Sequence, residues 1–355
     1  MPNPNELAPL TVIPGAIRFN TDSMKLEYYR GGPVGFGTTT QTGEWVNLTT
    51  DSPDIQTGGA RGVFGAGFAP AGGNLAMDYI TISTTGNAIN FGNALTTFGG
   101  SSCASSTRGV FFCGSPGINN IEYITISSTG NAIDFGDVTE LRLNNPTSVS
   151  NSTRGIRAGG MLIPAFAMTN TIDYITIAST GNAQDFGDTT SLRARSGSFA
   201  SSTRGIFGGG YGPSPNASVN VIDFITISTL GNAADFGDLI NAQEGTHGGC
   251  SSAIRGIRAG GGPGTYRNVI EFLTIATLGN TQDFGDLSVA RPVGACASST
   301  RGVFGGGYVP SPTTFYNTIE YVTIMSTGNA IDFGDLVNNS RHNLSGCSNG
   351  HGGLG

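Results

Sequence analysis

Charge is scarce in this sequence. Only 12% of its 355 residues are Asp, Glu, Lys or Arg, and Lys25 is the sole lysine. That leaves too few ion pairs for long, salt-bridged helices. With a net charge of −7 and no basic block, a nucleic-acid partner is not expected. No stretch of 18 apolar residues occurs, so no membrane insertion is expected. The opening "MPNPNELAPL" lacks the basic and apolar regions of a signal peptide, so export by that route is not expected either. Histidine is nearly absent, at three residues, and the five cysteines form no CxxC pair. A disulfide framework, a zinc site or any other cofactor is therefore not indicated.

Glycine, by contrast, is abundant at 57 residues, which suits many turns and close backbone approaches. The chain also repeats itself. "STRGIFGGGYGPSPNASVNVIDFITISTLGNAADFGDL" begins at Ser202, and "STRGVFGGGYVPSPTTFYNTIEYVTIMSTGNAIDFGDL" at Ser299. Arg-Gly opens six copies, at Arg61, Arg108, Arg154, Arg204, Arg255 and Arg301, spaced 47, 46, 50, 51 and 46 residues apart. Periods of this size mark stacked or radial architectures.

Each copy reads as strands. "RGVFGGGY" suits a buried strand. "NTIEYVTIMS" alternates and is rich in β-branched and aromatic residues, "STGN" is a turn, and "AIDFGDL" is a short strand. A small apolar strand such as "VGACASST" (293–300) precedes the next arginine. No helical period is present. Four antiparallel strands in about 50 residues is the size of a kelch-type propeller blade. "GAIRFNT" (15–21), "KLEYYRGG" (25–32) and "GEWVNLT" (43–49) look like three more strands, with Trp45 and Leu48 spaced like Phe284 and Leu287. "LSGCSNG" (344–350) matches "VGACASS" (293–299). The expected fold is an all-β, kelch-like β-propeller of seven four-stranded blades. Residues 1–14 form an N-terminal arm, 50–341 six repeats, and 15–49 with 342–355 a closing blade, because closure removes open sheet edges.

The repeat "TRGVFGGGY…NTIEYVTI.STGNAIDFGDL" (about residues 61–355) resembles the kelch-like repeats of virion proteins from tailed phages, particularly of marine cyanobacteria. "GAIRFNTDSMKLEYYRGG…GEWVNL" resembles a β segment of phage tail-fibre and tail-tip proteins. The resemblance implies a virion structural or host-recognition protein, assembled in the host cytoplasm. Its implied partners are other virion proteins and a host surface glycan or protein. One departure is that Phe stands where cellular kelch blades carry Trp.

The chemistry-bearing residues mostly recur once per blade, which favours structural roles. Asp134/Asp137, Asp185/Asp188, Asp235/Asp238, Asp283/Asp286 and Asp332/Asp335 repeat, although the first copy has Asn90 and Asn93. They are expected to cap turns or to pair with Arg142, Arg193 or Arg291; a calcium site at each blade is the alternative. The six opening arginines are expected to bond blade to blade. Cys103, Cys250, Cys296 and Cys347 share a position held elsewhere by Val149 and Phe199, which marks a buried apolar site, and Cys113 stands apart as a free thiol. "GCSNG" (346–350) matches G-x-S-x-G around Ser348 but lacks the following helix. His247 and His351 lie near cysteines without enough further ligands for zinc.

Loop lengths locate the expected binding face. From the acid of the "IEY" strand to the Phe of "DFG" every copy counts 13, as from Glu122 to Phe135. From the opening arginine to the acid the counts are 17, 14, 19, 19, 16 and 19, and from the Phe to the next arginine 17, 19, 18, 19 and 17, so the second-to-third-strand loops and the blade-to-blade loops both vary. Variable loops on a rigid scaffold are where binding sits. They carry Phe68, Phe166, Tyr211, Tyr266, Tyr308, Phe315 and Tyr316, the candidate ligand- or partner-binding residues, with packing between loops as the structural alternative. No catalytic residue and no metal ligand is assigned. A propeller-type glycan depolymerase would need two carboxylates at one bond; Glu140 and Glu244 are the clearest acids outside the repeat. A capsid decoration protein without a ligand is the third possibility.

Overall fold

The computed structural model describes residues 16–20, 25–31, 43–47 and 60–354, apart from 66, 98–99, 113–117, 144–145, 214–216, 246–247, 263–264 and 339. The N-terminal arm, Leu48, Cys113 and His247 lie outside the described residues. The chain divides into two units, Met1–Ser52 and Pro53–Gly355.

The second unit is a β-propeller. Its four-stranded antiparallel sheets are built alike, from an inner strand, the Arg-Gly strand, the "IEY" strand and the outer "DFGD" strand. Blade 2, for example, runs Ser101–Ala104, Arg108–Phe112, Asn120–Thr125 and Ile133–Asp137. The inner strands of blades 3 to 6 are Thr147–Ser150, Gly197–Ala200, Gly249–Ser251 and Gly294–Ala297. Each inner strand belongs to the blade that follows it in sequence, so the first repeat begins without one. The C-terminal strand Ser345–Ser348 supplies it, pairing antiparallel with Arg61–Gly65 as Cys347↔Val63.

This corrects the expected blade number. The ring closes with six blades, because the described residues contain six strands of each kind and none is left over. The seam between blades 6 and 1 is packed like the others: Cys296, Val303, Ile319 and Phe333 meet Phe64, Ile80 and Ile82 in one buried cluster. Among the described residues, Ser345–Ser348 is thus the inner strand of blade 1, not the innermost strand of a seventh blade. The N-terminal strands Ile17–Asn20, Lys25–Gly31 and Gly43–Asn47 do exist, but as a three-stranded sheet of their own. Their spacing resembles that of a blade's last three strands because both are short antiparallel meanders.

The sequence motifs explain how the blades join. In the outer strand the residue before the "FG" glycine bulges, shifting the register between Ile121↔Gly136 and Glu122↔Asp134. Gly136 sits at φ 148°, and a Cβ there would lie 2.4 Å from the carbonyl oxygen of Gly181 in blade 3. Only glycine meets both demands. Into this notch docks the "TGNA" turn of the next blade. Gly181 N–H donates to Phe135 O at 2.7 Å, Ala183 N–H to Asp137 O at 2.8 Å, and Asn182 Oδ1 accepts from Asp137 N–H at 3.0 Å. The same three bonds recur at every seam, including Gly86 and Asn87 of blade 1 on the outer strand of blade 6.

The opening arginines make the blade-to-blade bond expected of them. Arg61 donates to Ile126 O at 2.9 Å, Arg108 to Ile177 O at 3.0 Å, and so on round to Arg301 and Ile82 O at 3.0 Å. Each guanidinium also lies over an aromatic ring of its own "IEY" strand, 4.2–4.9 Å from the centroid. That ring meets the Phe of "DFG" edge-on, as Tyr123 meets Phe135 at 5.9 Å. The Gly after each arginine is needed too, because the inner-strand side chain of the preceding blade rests on it. A Cβ at Gly109 would lie 2.7 Å from Cys347 Sγ, and at Gly205 2.6 Å from Val149. Cys, Val and Phe exchange there because the site is a buried apolar contact between blades.

Ser345–Ser348 closes the ring by pairing with Arg61–Gly65. Residues 53–355 produced alone should unfold in one cooperative thermal transition, whereas removing 345–355 from the full chain should strip blade 1 of its inner strand and abolish that transition.

Candidate binding face

The "IEY" acid of every blade is buried: Asp78, Glu122, Asp173, Asp223, Glu271 and Glu320 are at most 2% exposed. Burial on that scale requires partners, and the segment leaving the outer strand of the preceding blade provides them. Thr190 and Arg193 both bind Asp223, the hydroxyl at 2.6 Å and the guanidinium at 2.5 Å. Arg142 and Thr139 bind Asp173, Arg291 and the Ser288 N–H bind Glu320, and Arg341 and Asn338 bind Asp78. Leu95 N–H and Thr96 bind Glu122, and Ile240 N–H binds Glu271. Desolvation by burial pushes Asp78 up and Arg341 and Arg193 down, even against the attraction within each pair.

This corrects the pairing expected from sequence. Arg142, Arg193 and Arg291 serve the "IEY" acids, not the "DFGD" aspartates. The latter lie on the outer strand, where their backbone receives the next blade's turn. Nearness in sequence misled, because the arginines cross to the following blade. A second set of buried charges was visible but unread. "RGIRAGG" places Arg157 and Arg258 where Phe64, Phe111, Phe207 and Phe304 fill the other blades. Arg157 donates to Glu140 O at 3.3 Å and Arg258 to Gln243 O at 3.3 Å, and burial pushes Arg258 down to about 10.

These ties anchor the segments between blades, and those segments pair with the loops between the second and third strands. Phe68 and His342 form a two-bond bridge at 2.9 and 3.0 Å, and Tyr211 bridges Ala194 at 2.7 and 3.0 Å. Arg142–Leu143 pairs with Met161–Leu162. Both variable loop sets thus share one face, as their lengths implied. The "TGN" and "SST" turns occupy the other.

Three of the seven candidate aromatics, Phe68, Tyr308 and Phe315, gather around His342 near the seam of blades 6 and 1. Tyr308 and Phe315 face each other across a short hairpin with centroids 5.0 Å apart. His342 stands 5.3 Å from Tyr308, 5.5 Å from Phe315 and 5.9 Å from Phe68, all half-buried. Burial lowers the His342 pKa, which favours a neutral imidazole. Tyr316 packs 5.0 Å from the Arg291 guanidinium, a supporting position. Tyr266, half-buried in the blade 5 loop, feels both Tyr308 and Glu244, and burial raises its pKa. Tyr211 is held by its backbone bridge on blade 4. Phe166 projects from blade 3, 65% exposed, at φ 51°. His342, the centre of the cluster, was missed from sequence because nothing local distinguishes it.

The remaining candidates are placed as follows. Glu140 pairs with Arg142 at 3.2 Å and Glu244 with Arg195 at 2.8 Å, in separate inter-blade segments. Ser348 lies in the closing strand and donates to Ala297 O, which is no nucleophile elbow. Cys103, Cys250, Cys296 and Cys347 are buried free thiols, and burial pushes Cys250 and Cys347 up to about 12. No group of three or more His, Cys, Asp or Glu residues suited to a metal ion occurs among the described residues.

No protein-family model matches the chain, and no curated protein matches it in sequence.

Replacing Arg193 by Met strands the Asp223 carboxylate in the interior and should cost about 3–5 kcal/mol in chemical denaturation. Adding Asp223→Asn should restore part of that loss. The four buried thiols should stay unreactive toward a disulfide reagent at pH 8 until the ring unfolds.

Proposed function

We propose that the chain is a non-enzymatic phage virion protein that uses the propeller's loop face to bind a host-surface glycan. The observation that carries the binding reading is the cluster of Phe68, Tyr308, Phe315 and His342. Packing alone does not require rings to remain half-exposed at the rim of a scaffold whose blades are stitched together at every seam. Such rings offer faces to the C–H surfaces of a sugar, while phenol and imidazole groups offer hydrogen bonds. The virion assignment rests on the resemblance of the repeat and of the N-terminal segment to phage structural proteins. A tail-fibre or tail-tip position suits it, since a binding face is useful where the particle meets its host.

The test is binding of the full chain to immobilised host-envelope polysaccharides. Tyr308→Ser should weaken binding about tenfold, on the order of 1.4 kcal/mol, with little change in thermal stability. Leu230→Ser and Leu278→Ser, exposed on the opposite face at 56% and 59%, should leave it unchanged. Equal losses from the two faces would overturn the site. Release of reducing ends that disappears in Glu140→Gln or Glu244→Gln would establish a depolymerase instead.

A further inference from the structure

The axis of the ring is a narrow well of about 80 Å³ lined by the inner strands. Its walls are neutral, and neighbouring strands are joined by serine hydroxyls. Ser150 Oγ donates to Ala104 O at 2.8 Å and Ser251 Oγ to Ala200 O at 2.7 Å. One end meets the loop face. At the turn face the chain continues past the closing strand and folds across the opening. Asn349 clasps the Arg61 backbone, with Oδ1 accepting from Arg61 N–H at 2.7 Å. The one-turn helix Gly352–Leu354 then lies on the inner-strand ends. A Cβ at Gly352 would lie 2.1 Å from Ser252 O, and one at Gly353 1.9 Å from Ser150 O. The tail thus touches blades 3 and 5 as well as its own.

His351 holds this turn in place, and both its nitrogens are committed. Nε2 is 2.8 Å from Ala104 O, a pure acceptor, so Nε2 carries a proton. Nδ1 accepts from Gly353 N–H at 3.1 Å, so it carries none. A second proton at Nδ1 would face an N–H donor. Among the described residues, no carboxylate lines the well to compensate. The titratable groups along its lining are the thiols of Cys103, Cys250, Cys296 and Cys347, which lie in the blade-to-blade contacts. Arg61, whose backbone Asn349 clasps, has its guanidinium engaged with Ile126 O and the Tyr79 ring.

We propose that the C-terminal turn is an acid-released stopper: it seals the turn-face end of the well while His351 is neutral, and protonation of Nδ1 expels it. Burial lowers the His351 pKa, as this geometry requires. The sign follows. Docking is fully favoured above the ordinary imidazole value of ~6.5, and weakens as pH falls below it, because the released tail takes up a proton that the docked tail excludes. One proton limits the effect to about tenfold per pH unit.

Hydrogen exchange of the full chain, corrected for the intrinsic pH dependence, tests this. Protection of the amides of residues 349–354 should fall about tenfold or more between pH 7 and pH 5, while that of inner strands 101–104 and 147–150 holds. In His351→Gln, whose amide can donate to Ala104 O and accept from Gly353 N–H without titrating, protection should be independent of pH. A flat response in the wild-type chain, or the same fall in the Gln variant, would overturn the proposal. As a measurement free of variants, NMR titration should place the His351 ring below 6.5, with the Gly353 amide shifting in step; a value at or above 6.5 would also overturn it.

Discussion

The insertion of each "TGNA" turn into the bulge of the preceding outer strand is the contact on which the ring depends. A bulge leaves ladder groups unpaired and exposes backbone that would otherwise form an aggregation-prone edge. Here the next blade fills the notch with three hydrogen bonds, and the same contact recurs until blade 1 fills the notch of blade 6. Two glycines permit it: one adopts the bulge conformation and leaves room for the turn, and the other follows the arginine and admits the neighbour's side chain. The hydrophobic clusters lie between blades as well as within them, so no blade has a complete core alone. The closing strand is therefore as necessary as any other.

Charge is used sparingly and in depth. Six acids buried at one level of the ring draw in the inter-blade segments through arginines, hydroxyls and backbone amides. On the turn face six arginines reach the next blade while stacked on aromatic rings. The loop face is thereby attached to a rigid base at regular intervals, and its loops are free to differ. Blades 5, 6 and 1 collect aromatic side chains there, whereas Phe166 of blade 3 stands apart. That asymmetry on a near-symmetric frame is what the binding proposal rests on.

Much of this was legible. The strands, the antiparallel blade, the placing of both variable loop sets on one face, the interblade arginine and the buried cysteine position all follow from aligning the chain with itself. Repetition turns each motif into six observations, and Cys exchanging with Val and Phe identifies a packed apolar site without coordinates. Two readings failed for one reason. The "DFGD" aspartates were matched with arginines close in sequence, and the terminal segments were matched with each other by spacing. Spacing along a chain does not say which strand edge a segment meets. The arginines cross a seam to Asp173, Asp223 and Glu320, and Ser345–Ser348 pairs with Arg61–Gly65 rather than with the N-terminal strands.

The sequence by itself determined the unit: strand pattern, bulge glycine, docking turn and apolar inner strand are local properties, set by side-chain alternation and permitted backbone angles. Tertiary structure alone decided how many units close the ring, which acid each buried arginine neutralises, and that Phe68, Tyr308, Phe315 and His342 meet. Those outcomes depend on the angle between packed sheets and on contacts across more than 200 residues of chain, as between Arg341 and Asp78. Such contacts form only when the last strand returns to the first blade.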